Sequence, residues 1–177
     1  SAFPAAELKR LGYGAVWRGQ KAWNGVAILA RGTEPVQTAD RLPGDDADTQ
    51  SRYIEAAVNG VLIGCIYLPN GNPQPGPKFD YKLAWFERLI RHARSLKKAG
   101  VPSVLAGDLN VVPTDFDIYP RHSYGKDALL QPEPRAAVGK LRLARTGGSA
   151  EVVAQDAVPG EAEPHKIGRI ETGHAGG

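Results

Sequence analysis

Short apolar runs alternate with polar, glycine- and proline-rich segments along most of this chain. Runs rich in β-branched and aromatic residues predict strands at Tyr13–Trp17, Gly25–Arg31, Arg52–Val58, Val61–Tyr67 and Ser103–Ala106. A short helix is predicted at Pro4–Leu11, and a long helix from near Lys78 to about Ala99, where apolar residues recur at helical spacing. This mixture of strands and helices is typical of an α/β domain.

Turn signals separate these elements. Asn59-Gly60 lies between two predicted strands and is a strong signal for a tight hairpin. The segments 32–50 and 69–77 hold several prolines and glycines, so both are predicted to be loops. Acidic residues in the first loop, at Asp45, Asp46 and Asp48, are expected to face solvent rather than to bind a metal.

Basic residues crowd the long helix on the side opposite to its apolar positions. We expect them to face solvent rather than to contact nucleic acid, because a helix packed on a sheet exposes its polar side. They are Lys82, Arg88, Arg91, Arg94, Lys97 and Lys98.

Composition narrows the class of protein. The chain has 177 residues, of which 42% are hydrophobic and 23% charged, as expected for one soluble α/β domain or a piece of one. Its formal charge of +3 permits a polyanionic partner. No apolar run is long enough to span a membrane and no signal peptide is recognisable, so a cytoplasmic location is expected. The single cysteine, Cys65, lies within an apolar strand and is expected to be a core residue.

Candidate chemistry is concentrated in residues 104–118, where an apolar run ends in Gly-Asp-Leu-Asn and a Pro-Thr-Asp-Phe-Asp turn follows. If Leu109 continues the strand, alternation puts Asp108 and Asn110 on the same face. A carboxylate and an amide side chain in one cleft are typical of a site that binds a metal ion together with a phosphate group. The structural alternatives are that Asp108 caps the loop and Asn110 forms an Asx turn. Tyr67 lies at the end of another strand. Its structural alternative is a purely packing role, in which the ring is buried and the hydroxyl faces water.

Several strings in this chain together resemble exodeoxyribonuclease III, a branch of the endonuclease/exonuclease/phosphatase superfamily. They are Tyr-Leu-Pro-Asn-Gly from Tyr67, Lys-Phe-Asp-Tyr-Lys-Leu from Lys78, and Gly-Asp-Leu-Asn-Val-Val-Pro-Thr-Asp from Gly107. The resemblance runs from about Phe3 to about Ala137. It implies a four-layer α/β sandwich of two mixed β-sheets with outer helices. That sandwich would be incomplete here, because a full domain of this kind needs roughly 250 residues.

The resemblance also implies an activity. The intact parent is expected to be a Mg²⁺-dependent DNA repair nuclease, with Mn²⁺ as a substitute, that hydrolyses phosphodiester bonds at 3′ ends and abasic sites. Its expected partner is double-stranded DNA, and the protein is expected to be a monomer. Two alternatives are a phosphatase or phosphodiesterase of a sister branch, and an inactive fragment that binds DNA weakly.

Roles for individual residues follow from the same resemblance. Tyr67, Asp108 and Asn110 are the expected catalytic residues, and the last two are also the expected metal ligands. Lys21, Asn24 and Asn70 are expected to contact DNA or phosphate. Arg52, Asp115 and Asp117 are expected to support the site, with Arg52 pairing a carboxylate and Asp117 stabilising the loop that carries Asp108.

The two ends of the sequence depart from the family pattern. The chain contains no methionine and begins one helix before a strand, and no residue corresponds to the family's principal metal-binding glutamate, so an internal fragment that is inactive by itself is predicted. Beyond Ala137 the helical and strand patterns end, so residues 1–137 are expected to form a partial domain and 138–177 a disordered or frameshifted tail. Glu171 and His174 are interpreted as a coincidental echo of the family's closing Asp-His pair.

Overall fold

The computed structural model describes residues 3–119, 125–143 and 150–154, the last range as backbone alone. Three helices and seven strands are assigned within these ranges. In chain order they are α1 (Ala5–Arg10), β1 (Tyr13–Gly19), β2 (Gly25–Arg31), β3 (Val36–Ala39), β4 (Tyr53–Val58), β5 (Val61–Tyr67), α2 (Pro77–Ala99), β6 (Ser103–Asp108), α3 (Pro132–Leu143) and β7 (Ala150–Ala154). A 3₁₀ turn, Asp115–Asp117, follows β6.

The strands form two sheets. β1 and β2 pair antiparallel as one sheet, and the other sheet has the order β3-β4-β5-β6-β7. Within the larger sheet, β3, β4 and β5 are antiparallel neighbours, whereas β5, β6 and β7 are parallel. Helix α2 makes the crossover between the parallel strands β5 and β6. The predicted mixed α/β architecture of two sheets with helices is confirmed.

Alternation along β4 divides the apolar interior into two layers. Ile54 and Ala56 face the β1–β2 sheet, where they pack with Val26 and Ile28. Tyr53 faces the opposite side and belongs to the larger cluster beneath α2 and α3. Because both faces of the sheet are covered, the ends of its strands are the places where polar side chains reach solvent.

Local sequence signals placed most of these elements. The predicted hairpin forms at Asn59-Gly60, with both residues at positive φ. Helix α2 begins with Pro77 in its first turn and ends at Gly100, which has left-handed geometry. Strand β3 lies in segment 32–50, which its prolines and glycines predict to be a loop; the strand has only four residues, is mostly exposed and shows no burial alternation. Its pairing with β4 also shifts register between Gln37 and Ala39.

The expectation that the basic residues of α2 face solvent is wrong for two of them. Lys82 is fully buried and Arg88 is 7% exposed. Arg88 donates to the carbonyl of Leu42 at 2.6 Å and pairs with Asp48 at 2.8 Å, and Tyr81 also donates to Asp48. Asp48 is therefore a structural partner of α2 rather than a solvated loop residue, and this pairing anchors the loop before β4.

The boundary predicted at Ala137 falls inside α3. This helix continues to Leu143, and it buries Val138 and Leu141 against α2, two residues that follow the predicted boundary. Strand β7 then pairs parallel with β6. Residues 155–177, which include Glu171 and His174, lie outside the described residues, and the frameshift expected after about Ala137 stays a prediction. Among the helices that the structure describes, none has the length and apolar character needed to cross a membrane.

Candidate active site at the ends of β5 and β6

Tyr67 and Asp108 are the last residues of the parallel neighbours β5 and β6, and they are register partners. The amide of Leu68 donates to the carbonyl of Asp108 at 2.9 Å, so the pairing continues one residue beyond the strands. Gly107 permits this close approach: a Cβ there would lie 2.0 Å from the carbonyl oxygen of Ile66, and its φ is +140°. The glycine before Asp108 is therefore required by the backbone.

Asp108 and Asn110 are brought together by a turn. The Asp108 carboxylate accepts a hydrogen bond from the Asn110 main-chain amide at 2.7 Å and one from its Nδ2 at 3.1 Å. Asn110 has a φ of +47°, which is left-handed geometry, so the chain is no longer extended at this point. The predicted proximity of the two residues is correct, but its predicted cause, alternation along a strand through Leu109, is wrong.

Asn110 also links two neighbouring loops. Its Nδ2 donates to the carbonyl of Leu68 at 2.8 Å, and its Oδ1 accepts a hydrogen bond from Asn70 at 3.3 Å. Asn70, an expected DNA contact, therefore lies beside the expected catalytic pair. Both hydrogens of the Asn110 amide have protein acceptors in this arrangement.

Tyr67 is connected to the loop between β1 and β2 through Arg52 and Gln50. The Arg52 guanidinium lies 5.2 Å from the centroid of the Tyr67 ring, and its Nε donates to Gln50 Oε1 at 2.7 Å. The same Gln50 oxygen accepts a hydrogen bond from Asn24 at 3.1 Å. Among the described residues, Arg52 is therefore bonded to Gln50 and Tyr67 rather than to the expected carboxylate.

Lys21 lies on that same loop, which borders an open groove of about 870 Å³. Trp23, two residues later, is 96% exposed and has a φ of +67°. Ser51 donates its amide to Gln20, so this loop too is fastened to the chain just before β4. Sequence reasoning missed Trp23; an aromatic residue between Lys21 and Asn24 in a polar loop was the available signal.

Asp115 and Asp117 lie on the 3₁₀ turn at the margin of the site. Asp117 accepts hydrogen bonds from the amide and hydroxyl of Thr114, and Thr114 caps the turn. Asp115 pairs with Arg135 of α3 at 2.8 Å. Thr114 thus takes the capping role, while Asp115 and Asp117 hold the segment that follows Asn110.

Lys82 lies beneath the site. Its Nζ donates to the carbonyls of Asn110 at 2.6 Å, Asn70 at 2.9 Å and Ala128 at 3.2 Å. Burial lowers the pKa of Lys82 to about 8, against the opposing influence of Asp127 and Asp108. Sequence reasoning missed this lysine, because its spacing in α2 resembles that of a solvent-facing residue.

The described residues do not fit a complete divalent-cation site. They contain no group of three or more His, Cys, Asp and Glu side chains that could hold a metal ion. Asp108 and Asn110 supply one carboxylate and one amide, and both are already hydrogen-bonded to each other. Mg²⁺ needs near-octahedral oxygen coordination, in which these two residues would supply only part of the set.

Comparison with known proteins identifies relatives of this chain in sequence and in structure. The family model for the endonuclease/exonuclease/phosphatase family matches residues 2–165. Exodeoxyribonuclease III of Haemophilus influenzae is 32% identical over 124 residues, which are 66% of this chain and 45% of that protein. The chain thus spans about half the length of the relatives that it matches.

Solved structures give the same result. An AP endonuclease from Archaeoglobus fulgidus superposes with a TM-score of 0.72 and 30% identity, over 80% of this chain and 54% of that one. NExo, a 3′-5′ exonuclease from Neisseria meningitidis, superposes with a TM-score of 0.73 and 35% identity, over 80% of this chain and 55% of that one. The 3′ phosphatase NExo from Neisseria, in a structure with a bound product DNA hairpin, superposes with a TM-score of 0.74 and 34% identity, over 80% of this chain and 55% of that one. The chain belongs to the endonuclease/exonuclease/phosphatase family.

Proposed function

We propose that this protein is a DNA repair nuclease that hydrolyses phosphodiester bonds, acting as a 3′-5′ exodeoxyribonuclease and as an endonuclease at abasic sites. The observation that carries the proposal is the Asp108–Asn110 turn beside Tyr67, at the paired ends of β5 and β6. The names of the relatives support it, since they include an exodeoxyribonuclease III, an AP endonuclease and a 3′-5′ exonuclease.

Asp108 is the proposed acceptor of the proton from the attacking water. Each of its oxygens accepts one hydrogen bond from Asn110, and each carboxylate oxygen has capacity for a second. Fixing the carboxylate in this way leaves its remaining lone pairs in a defined direction, which is what a base that orients water needs.

Asn110 is proposed to orient Asp108, and this refines its expected role as a catalytic residue. Both hydrogens of its amide are engaged, by Leu68 and by Asp108, so a phosphate oxygen would have to displace one of these acceptors. Tyr67 is the proposed donor to the phosphate, because its hydroxyl is a hydrogen-bond donor on the strand next to Asp108.

A divalent cation, Mg²⁺ or Mn²⁺, is part of the proposal as a charge neutraliser for the phosphate. Asp108 and Asn110 are its proposed ligands within the described residues, and they require additional ligands from outside this set. The removal of metal with EDTA is expected to abolish hydrolysis, and Mg²⁺ or Mn²⁺ is expected to restore it.

The loop that carries Lys21, Trp23 and Asn24 is the proposed DNA-facing side of the site. Lys21 supplies charge for a phosphate, and the exposed indole of Trp23 supplies a surface on which a base can stack. The Asn24–Gln50–Arg52 connection fixes this loop relative to Tyr67. A monomeric state and a cytoplasmic location stay predictions.

One experiment separates the candidate activities. The purified product of the coding locus is incubated with labelled duplexes that carry a recessed 3′ hydroxyl, an internal abasic site or a 3′ phosphate, with EDTA, Mg²⁺ or Mn²⁺. Shortening from the 3′ end and incision at the abasic site are expected. Release of phosphate alone would favour the phosphatase alternative, which the name of one Neisseria relative also supports. Binding without any hydrolysis would favour the alternative of a chain that only binds DNA.

Asp108→Asn serves as the inactive control in this assay, and Asp46→Asn as its matched partner. Both remove one negative charge, but Asp46 is exposed in the loop before β4. Hydrolysis at the wild-type rate in Asp108→Asn, when a mock preparation without the protein shows none, would come from another site and would contradict the proposal.

A further inference from the structure

Lys82 meets three separate segments of chain at one point. The carbonyls that accept its hydrogen bonds belong to residues 12, 28 and 46 positions away along the sequence. A protonated lysine has three N–H donors and no acceptor, so three carbonyls satisfy it completely. The side chain is fully buried, and the desolvation of an ammonium is costly unless such partners are supplied.

Two of these acceptors belong to residues of the candidate site. Asn110 and Asn70 present their carbonyls to Lys82, while their side chains are hydrogen-bonded to each other at 3.3 Å. The Asn110 bond is the shortest of the three, at 2.6 Å, and it falls on the residue whose left-handed backbone places its two amides against Asp108. Orientation of the Asp108 carboxylate thus depends on a main-chain conformation that Lys82 holds from below.

The stem of Lys82 is also fitted to its place. A Cβ at Gly71 would lie 2.7 Å from Cδ of Lys82, and Gly71 has a φ of +90°. The loop after β5 therefore passes directly over the aliphatic part of the lysine. Its nitrogen is enclosed and does not reach solvent, so contact with a phosphate group is excluded as its role.

We propose that Lys82 is a positioning residue for hydrolysis: its ammonium fixes the Asn70 and Asn110 loops so that Asn110 orients Asp108. This inference rests on the proposed nuclease function for its activity test, but its structural content can be measured without turnover. Displacements of about 1 Å at a residue distant from the reacting atoms can slow turnover by about a hundredfold.

The test compares Lys82→Met with Arg88→Met in the product of the full coding locus. Both residues lie on α2, both are buried, and both donate to loop carbonyls, but Arg88 bonds to Leu42 and Asp48 in the loop before β4 and not to Asn70 or Asn110. Turnover is measured on abasic-site duplex well below both melting temperatures. Lys82→Met is expected to lower kcat by about a hundredfold with KM within about threefold, whereas Arg88→Met keeps kcat within about threefold. Equal losses of kcat in the two variants, or kcat within threefold of wild type in Lys82→Met, would overturn the proposal.

A second readout does not depend on activity. The side-chain amide resonances of Asn110, identified by their absence in Asn110→Ala, are expected to shift in Lys82→Met and to stay in place in Arg88→Met. Unchanged resonances in Lys82→Met would overturn the proposal even if the wild-type protein proved not to cleave DNA. If Lys82→Met does not fold, Lys82→Gln retains two amide donors and is tested in the same way, with a loss of about tenfold expected.

Discussion

Asn110 donates two hydrogen bonds to Asp108, one from its main-chain amide at 2.7 Å and one from its side chain at 3.1 Å. A short turn thus binds one carboxylate from two directions. The arrangement combines the structural alternative for Asp108, a carboxylate that caps the loop, with the functional interpretation, because the same bonds that close the turn also orient Asp108. The two interpretations of these residues therefore need not exclude each other.

Asp108→Asn is expected to reduce kcat for DNA hydrolysis by about a hundredfold or more, because an amide cannot accept a proton from water at neutral pH. The main-chain bond from Asn110 can persist, so the melting temperature is expected to fall by a few degrees at most. Steady-state kinetics and thermal unfolding monitored by circular dichroism measure both. Turnover like that of the wild type, with an unchanged spectrum, would refute the role assigned to Asp108.

Trp23→Ala is expected to weaken binding of DNA by about tenfold with no loss of stability. The side chain is 96% exposed, so its removal costs little packing, whereas base stacking on an aromatic ring contributes about 1–3 kcal/mol. Fluorescence anisotropy of a labelled duplex measures the affinity. Phe116→Ala is the matched control, since Phe116 is also fully exposed but lies on the 3₁₀ turn. Equal affinities for Trp23→Ala and the wild type would remove the loop from the proposed DNA-facing surface.

Gly107→Ala is expected to destabilise the protein by about 3 kcal/mol or more. A Cβ at this position would lie 2.0 Å from the Ile66 carbonyl oxygen, so β5 and β6 would have to separate. Gly139→Ala is the control, because this helical glycine has no neighbouring atom within 4 Å of an added Cβ and alanine favours helix by about 1 kcal/mol. Urea unfolding of the two variants measures the difference. Similar stabilities would show that the strand ends are more tolerant than the geometry indicates.

The parts of this fold that the sequence predicted are those determined by local pattern. The hairpin at Asn59-Gly60, the strand β5 and the helix α2 each depend on neighbouring residues, and all were placed correctly. The proximity of Asp108 to Asn110 was also predictable, because they are only two residues apart, although the left-handed backbone of Asn110 was not.

Features that depend on distant segments were not predictable. The burial of Lys82 requires carbonyls from three segments far apart in sequence, and its place in α2 does not differ from that of an exposed lysine. Strand β3 is held by its pairing with β4, and its own residues carry no alternation. The same applies to Asp48, whose partner Arg88 lies 40 residues away. Tertiary contacts overrode local preference at each of these positions.

Glu55 is expected to make the stability of the protein depend on acidic pH. It is 6% exposed and accepts hydrogen bonds from Tyr53 and Thr38, each at 2.8 Å, and its contact with His92 has the same length. Burial by itself would raise the pKa of Glu55, but the hydrogen bonds from His92, Thr38 and Tyr53 outweigh it and hold the pKa below its usual value of 4.5.

Because the folded-state pKa is lowered, the ionised carboxylate stabilises the fold fully above the unfolded-state pKa, and this contribution is lost as the pH falls through the folded-state pKa. Glu55→Gln is therefore expected to cost about 1–3 kcal/mol at pH 7, with a smaller difference from wild type below about pH 4. Urea unfolding between pH 7 and pH 3 gives both curves, and Glu87→Gln on the exposed side of α2 is the control. A difference between Glu55→Gln and the wild type that stays constant across this range would show that the carboxylate contributes through shape and neutral hydrogen bonds, not through its charge.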